Sequence, residues 1–389
     1  MSSSEFHYDA PHAVTRGFRL VALIGVILTL AGLFVSADRT WASILLVSYY
    51  LLALGLAGAV FIALQYVTGA SWGVALRRIP EAMTLLVPIG GIGILSVLLL
   101  HPSLYPWSRP EVQHELPAFR HWWLGITFVR ARAVLYLLIW IGFALALLRG
   151  SRKQDRDGLF AHTRTNVRIS AAFLVAFAIT FWLASVDWIM SLEPDFASTI
   201  FGMYNFAGLF VSGLAAMTLT VVWLQKRKPL NAVINRHHLH DCGKLMFAFS
   251  TFWMYLWFSQ YMLIWYANLP EETGYYVQRL HGFWQPLFLL NLALNWVIPF
   301  FALLPKLNKQ NAGVLTKVSL VLLAGRWLDL YLMIGPTPAG AQPRIGLWEF
   351  GCVATAVGLF GISFFRAFGS APAVPIRDPY LAESVEYHA

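Results

Sequence analysis

Apolar runs of about 20 residues recur along this chain, and each is long enough to cross the hydrocarbon of a bilayer as a helix. They lie near 18–36, 43–66, 81–100, 131–149, 169–190, 200–224, 245–267, 283–304, 315–335 and 347–365. In lipid every backbone N–H and C=O must be satisfied within the chain, so a spanning segment is a helix or part of a closed barrel. The alternation of polar and apolar residues that barrel strands require is missing here. The expected fold is therefore an all-α polytopic membrane protein of about ten transmembrane helices.

Composition agrees, with 58% hydrophobic and only 12% charged residues. The net charge of +9 does not point to nucleic acid, because the basic residues sit in short segments between apolar runs and form no single basic face. With the N-terminus cytoplasmic, roughly 20 of the 28 Lys and Arg fall in cytoplasmic segments, which orients the chain with both termini inside. The inside clusters are Arg77 with Arg78, the stretch RGSRKQDRDG from Arg149, the run Lys226, Arg227 and Lys228, and Lys306 with Lys309. They read as topology anchors in loops. The segment before the first run lacks a basic-then-apolar signal pattern, so that run reads as a retained helix. On the outer side the longest loop runs from His101 to Arg130, and its aromatics Tyr105, Trp107, Trp122 and Trp123 suit an interfacial segment.

An internal echo is visible. Asp187 and Asp329 each precede a proline by seven residues, Pro194 and Pro336, near the outer ends of helices five and nine. Arg120-His121-Trp122 and Arg279-Leu280-His281 similarly precede helices four and eight. These echoes predict two four-helix bundles, over 43–190 and 191–335. A tail at 1–17 and a first helix within 18–42 precede them, and 336–389 carries the last helix and a cytoplasmic tail.

Ionisable groups at lipid depth are functional candidates because their burial is expensive. Asp187, Asp329 and Arg326 qualify. Arg326 and Asp329 are spaced i, i+3 and can pair on one helix. Asp187 has no basic residue on its own helix, which predicts either a partner across the bundle, with Arg326 the candidate, or a carboxyl kept neutral by desolvation and able to relay protons. Thr180, Ser185, Tyr204, Asn205, Tyr255, Ser259, Gln260, Asn291, Asn295 and Tyr331 can extend a polar path inward, though each alone more often serves helix packing. Glu193, Glu271, Glu272, His121 and His281 form a candidate outer rim. Trp182, Trp188, Trp253 and Trp257 can line a quinone slot or simply pack.

Several chemistries are disfavoured. The two cysteines, Cys242 and Cys352, form no CxxC or CxxCH motif. No histidines face each other mid-helix to hold a haem. The run His237-His238-Leu239-His240-Asp241-Cys242 lies in a basic loop without ligand pairs elsewhere, so metal binding is not expected. No Walker motif marks an ATP pump. Any redox cofactor must then sit on other subunits.

The segments FIALQYVTGASW (61–72), RRIPEAM (77–83), SVDWIMSLEP (185–194) followed by STIFGMYNFAG, WYANLPEET (265–273) and GRWLDLY (325–331) resemble the ActF membrane subunit of bacterial alternative complex III, of the NrfD, or polysulfide-reductase, membrane type. The resemblance covers helices two to nine. It implies a cofactor-free subunit of a quinol:electron-acceptor oxidoreductase in the bacterial inner membrane. The partners it implies are structural lipids, a related ten-helix subunit that binds quinol or menaquinol, an iron–sulfur subunit and c-type cytochromes. By matching motif it assigns Asp187, and Asp329 with Arg326, to a proton path. In the family SLEP is often followed by a histidine and an aromatic. Here Asp195 and Phe196 follow Pro194, so the outer role of that histidine is not carried over. A non-catalytic scaffold and a secondary transporter are the competing expectations.

Overall fold

The computed structural model describes residues 7–340 and 342–388, the side chains of residues 114 and 115 excepted; the first six residues of the expected N-terminal tail lie outside that description. Helix is the only regular structure among the described residues. The long segments are α1 (His12–Val35), α2 (Ala37–Thr68), α3 (Val74–Leu100), α4 (Ile126–Asp157), α5 (Phe160–Trp188), α6 (Phe201–Leu224), α7 (Arg236–Ala267), α8 (Gly282–Leu303), α9 (Ala312–Ile334) and α10 (Leu347–Phe368).

Eight of these are long and apolar enough to cross a membrane, α7 and α9 being the exceptions. The second half of α7 is rich in Trp and Tyr with Ser259 and Gln260, and α9 carries Lys317, Arg326 and Asp329. Both depart from the apolar norm because they line a polar interior, described below. On the outside, Leu23, Ile27 and Phe34 of α1, Leu135 and Leu138 of α4 and Val175 and Ile179 of α5 are exposed. A continuous apolar exterior of this kind is a lipid-facing surface, and the chain is a multi-pass membrane protein.

Helix packing follows a simple circuit. The segment α2 lies against α3, α3 against α4, α4 against α5, and α5 returns to α2. The same holds for α6, α7, α8 and α9, with α9 returning to α6. The two circuits meet where α2 touches α6 and α9 and where α5 touches α6. Accordingly α2 and α6 are the most enclosed, with 89% and 83% of their apolar windows buried, against 17% for α1.

Small residues set the close approaches. The pair α1 and α10 packs closely at Gly25 and Gly32 of α1 and at Gly351 and Gly358 of α10, and a Cβ at Gly25 or Gly358 would collide with the partner backbone at Thr355 or Ala22. Close backbone approach through glycine is how lipid-embedded helices gain packing when solvent drives nothing together. Gly25→Leu is expected to detach α1 from α10 while sparing the two circuits. Loss of a disulfide between Cys352 and a cysteine placed at Thr29, whose hydroxyl lies 3.6 Å from the Cys352 Sγ, would report it, and retention of the cross-link would contradict it.

Two loop expectations need correction. The basic stretch from Arg149 is no loop: α4 continues to Asp157, and Gly158, with φ +72°, turns the chain directly toward α5. Arg, Lys and Gln are good helix formers, and several of these charges are paired in the protein interior. In the outer segment, Tyr105 and Trp107 are fully buried and not interfacial, the Tyr105 hydroxyl donating to the Trp188 carbonyl at 3.1 Å, while Trp122 is exposed as expected. The histidine run is structural too. Asn235 caps α7 by accepting from the backbone N–H groups of His237 and His238, and the Nδ1 of His238 accepts in return from the Asn235 N–H.

Candidate functional site: two caged carboxylates

Asp187 sits in the last turn of α5 with no exposed surface. Arg132 of α4 meets it in a two-pronged pair, Nε to Oδ2 and Nη2 to Oδ1, both at 2.9 Å. The Trp123 indole N–H donates to Oδ1 at 3.0 Å and the Tyr136 hydroxyl to Oδ2 at 3.1 Å. Arg132 is itself held by the Trp123 carbonyl at 2.9 Å and lies 4.0 Å over the Trp123 ring. The expected partner, Arg326, is elsewhere. Arg132 was legible only as one of the outer positive charges, yet it lies two turns inside α4, aimed inward by the guanidinium's match to a carboxylate.

Asp329 of α9 is 1% exposed and has a comparable cage. Arg326 Nη1 pairs with Oδ2 at 2.5 Å, and the Trp253 indole donates to the same oxygen at 3.3 Å. The Tyr204 hydroxyl and the Asn291 amide donate to Oδ1, the latter at 3.1 Å. Arg326 also donates to Asn205 at 2.9 Å. Gly208 on α6 leaves the space that the guanidinium fills, since a Cβ there would clash with Arg326. Opposite, α8 buries both Asn291 and Asn295, one helical turn apart, and runs as a π-helix over Ala293–Val297, a form frequent at functional sites. Arg326 Nε and Asn295 Oδ1 are buried with no protein partner among the described residues, the kind of demand that a buried water meets.

Both carboxylates therefore accept from one arginine, one tyrosine and one tryptophan, but their surroundings differ. Beside Asp329 lies a narrow gap lined by Tyr204, Gln260, Tyr275, Tyr276, Arg279 and Asn291, about 10 Å³ in volume and so close to the room of one water. Tyr275 also lines a larger outer pocket of about 580 Å³ with Glu193, Asp195 and Glu271. Between the two stands Arg279, buried on the short helix Pro270–Leu280, whose guanidinium pairs with Glu193 at 2.5 Å and donates to the Leu332 and Tyr275 carbonyls at 2.8 Å. Burial pushes the phenols of Tyr275 and Tyr276 upward, so both remain hydroxyl donors at neutral pH.

Of the residues expected in a path, Gln260 and Glu193 stand on this route, Gln260 donating to the Tyr276 hydroxyl at 3.2 Å. Glu271 is on the pocket rim and Glu272 is half-buried beside it in sequence. Tyr255 is corrected: it is 63% exposed, on the outside of α7. Tyr331 is also off the route, its hydroxyl accepting from the Arg344 N–H at 2.9 Å on the side facing Arg39 and Glu349. His121 and His281 are exposed and do not line the outer pocket.

At the opposite end, the arginines read as loop anchors are buried. Arg78 pairs with Glu81 at 2.5 Å and with Asp155, and Ser151 donates to Glu81 at 2.6 Å. Arg77 pairs with Asp378 of the C-terminal segment. That segment also binds through Ser384, which accepts from the Ala75 N–H at 3.0 Å and donates to the Trp72 carbonyl at 2.8 Å, while Asn235 of the second circuit donates to the Tyr387 carbonyl at 3.1 Å. The tail thus clamps both circuits. Asp378→Ala leaves Arg77 buried without its carboxylate and is expected to destabilise the clamp by about 3 kcal/mol or more. Faster proteolytic loss of the tail with the helices intact would show it; an unchanged cleavage rate would refute it.

The sequence matches no family model and no curated protein.

Proposed function

We propose that this chain is a membrane subunit of a quinol:electron-acceptor oxidoreductase of the alternative complex III type, and that it provides a proton path ending at Asp329. The observation that carries the path is the arrangement around that carboxylate: a water-sized gap beside it is lined by Tyr275, Tyr276 and Arg279, Tyr275 is shared with an acidic pocket on the face opposite the basic loops, and Arg279 pairs with Glu193 of that pocket. A proton moves between hydroxyl, water and carboxylate only where such groups lie in sequence within hydrogen-bond reach. Arg326 sets the charge balance and with Trp253 holds Oδ2, while Tyr204 and Asn291 hold Oδ1.

In this reading Asp187 is a lock. Four donors from three residues enclose it, and the arginine pair takes both oxygens. The scaffold alternative draws on the same fact and applies well to the first circuit, but it leaves the gap beside Asp329 without a purpose. A secondary transporter is favoured less, because the break in α3 after Met83 and the π segment in α8 fall at non-corresponding places of the two circuits.

The electron-transfer assignment rests on the motif resemblance. Quinol, iron–sulfur clusters and c-type haems belong to the partner subunits in this proposal, and the chain lies in the bacterial inner membrane with both termini cytoplasmic. An affinity tag on the full chain, extracted from its own membrane in mild detergent, is expected to recover c-haem absorbance and quinol:acceptor activity. Recovery of the chain alone, with solute uptake on reconstitution, would reject the assignment.

A further inference from the structure

Along α9 a guanidinium is held on either side of Asp329. Arg326 lies three residues earlier, and Arg279 of the short helix Pro270–Leu280 is docked on the Leu332 carbonyl, three residues later. Arg326 pairs with the carboxylate, whereas Arg279 makes no hydrogen bond to it among the described residues. Its Nε and Nη1 donate to the Leu332 and Tyr275 carbonyls, both at 2.8 Å, and its Nη2 to Glu193 at 2.5 Å. The guanidinium is thus fixed from three sides, and Arg279 is only 1% exposed.

Tyr275 lines both the gap beside Asp329 and the outer pocket, and Arg279 lines the gap. The guanidinium lies 3.5 Å over the Tyr275 ring, and the Phe196 ring stacks on the same ring at 4.0 Å and 17°. Two groups stacked so closely cannot share one face, so the phenol is sandwiched between a cation and an apolar ring, and the stack forms part of the wall between gap and pocket. Charge alternates outward along this route: Arg326, Asp329, Arg279, Glu193, then Asp195 and Glu271 exposed on the pocket. The Glu193 side chain is 22% exposed on the pocket side, where water weakens its field. The gap therefore faces the cationic end of the pair.

We propose that Arg279 is an electrostatic barrier to protons, a positioning residue that keeps the idle chain from leaking protons between the outer pocket and Asp329; the inference rests on the proton path proposed above. A guanidinium stays charged at every working pH, and a proton that passes it in a site with little water meets a fixed like charge. Buried arginines exclude protons from membrane pores in this way. Quinol oxidation supplies free energy to cross such a barrier, and an idle chain has none to spend. A guanidinium that merely sealed the wall by its hydrogen bonds would not need its charge, and the two roles separate by experiment.

Passive proton entry tests this without turnover. The full chain, with the subunits that copurify, is sealed in vesicles containing pyranine, and a pH step is applied with valinomycin and potassium present to cancel the membrane potential. Arg279→Gln is expected to admit protons at least about tenfold faster than wild type. Arg279→Lys keeps the charge but cannot reach all three acceptors, so it should stay near wild type if charge is the barrier. Glu193→Gln breaks the pair yet leaves the cation uncompensated, and should leak no faster than wild type; this part-exposed site keeps the proposal testable if Arg279→Gln fails to fold. Adding Asp329→Asn to Arg279→Gln should abolish the excess leak. An Arg279→Gln chain as tight as wild type would overturn the barrier, as would fast leak in Arg279→Lys or Glu193→Gln, or excess leak that survives Asp329→Asn. The path itself fails on a different result, an unchanged proton-to-electron ratio in Asp329→Asn alone.

Discussion

Arg132→Ala is expected to destabilise the chain by about 3–5 kcal/mol, because it strands the Asp187 carboxylate in a site from which water is excluded. The loss exceeds that of a surface ion pair, worth roughly 0–1 kcal/mol, since here no solvent takes the arginine's place. Trp123 and Tyr136 keep their bonds to Asp187 but supply no charge. Arg132→Gln combined with Asp187→Asn removes both charges and leaves polar groups for the same donors, so it should recover most of the deficit. Thermal unfolding of the purified chain in one detergent compares the variants. A single Arg132→Ala mutant as stable as wild type would mean that Asp187 is not held as described.

Asp329→Asn has the largest expected effect on activity. The amide keeps the side chain's shape and its Oδ1 can accept from Tyr204 and Asn291, but it cannot gain or lose a proton. Arg326 keeps Asn205 as a partner, so part of the guanidinium's requirement is still met. In assembled complex, proton-coupled turnover should fall by at least about tenfold, which is roughly 1.4 kcal/mol on the limiting barrier. Asp329→Glu, which retains a carboxyl, should keep a measurable fraction. Asp187→Asn is expected to lower stability more than coupling, and an equal loss of coupling in the two asparagine variants would remove the distinction drawn between lock and path.

How much of this was legible beforehand depends on which physical signal each residue leaves in the chain. The apolar runs mark helices directly, because length and composition set what can span lipid. Asp187 and Asp329 stood out since a carboxylate inside such a run is rare. Their cages did not. Trp253 and Tyr255 are two positions apart on α7, about 200° around the helix, yet one donates to Asp329 and the other faces outward. A helix that is apolar on every side gives no periodicity to say which face turns inward. Arg132 was hidden for another reason: near a helix start, a cation that marks topology and a cation that pairs in the interior look alike in sequence. The burial of Arg77 and Arg78 rests on Asp378 and Asp155, which lie far along the chain and were unreadable as partners.

The most direct test of the proton path is the proton-to-electron ratio of the reconstituted complex in sealed vesicles, measured during quinol oxidation with wild-type chain and with Asp329→Asn. The ratio is expected to fall in the variant while the haem and iron–sulfur content of the complex is unchanged. An unaltered ratio in fully assembled Asp329→Asn complex would contradict it.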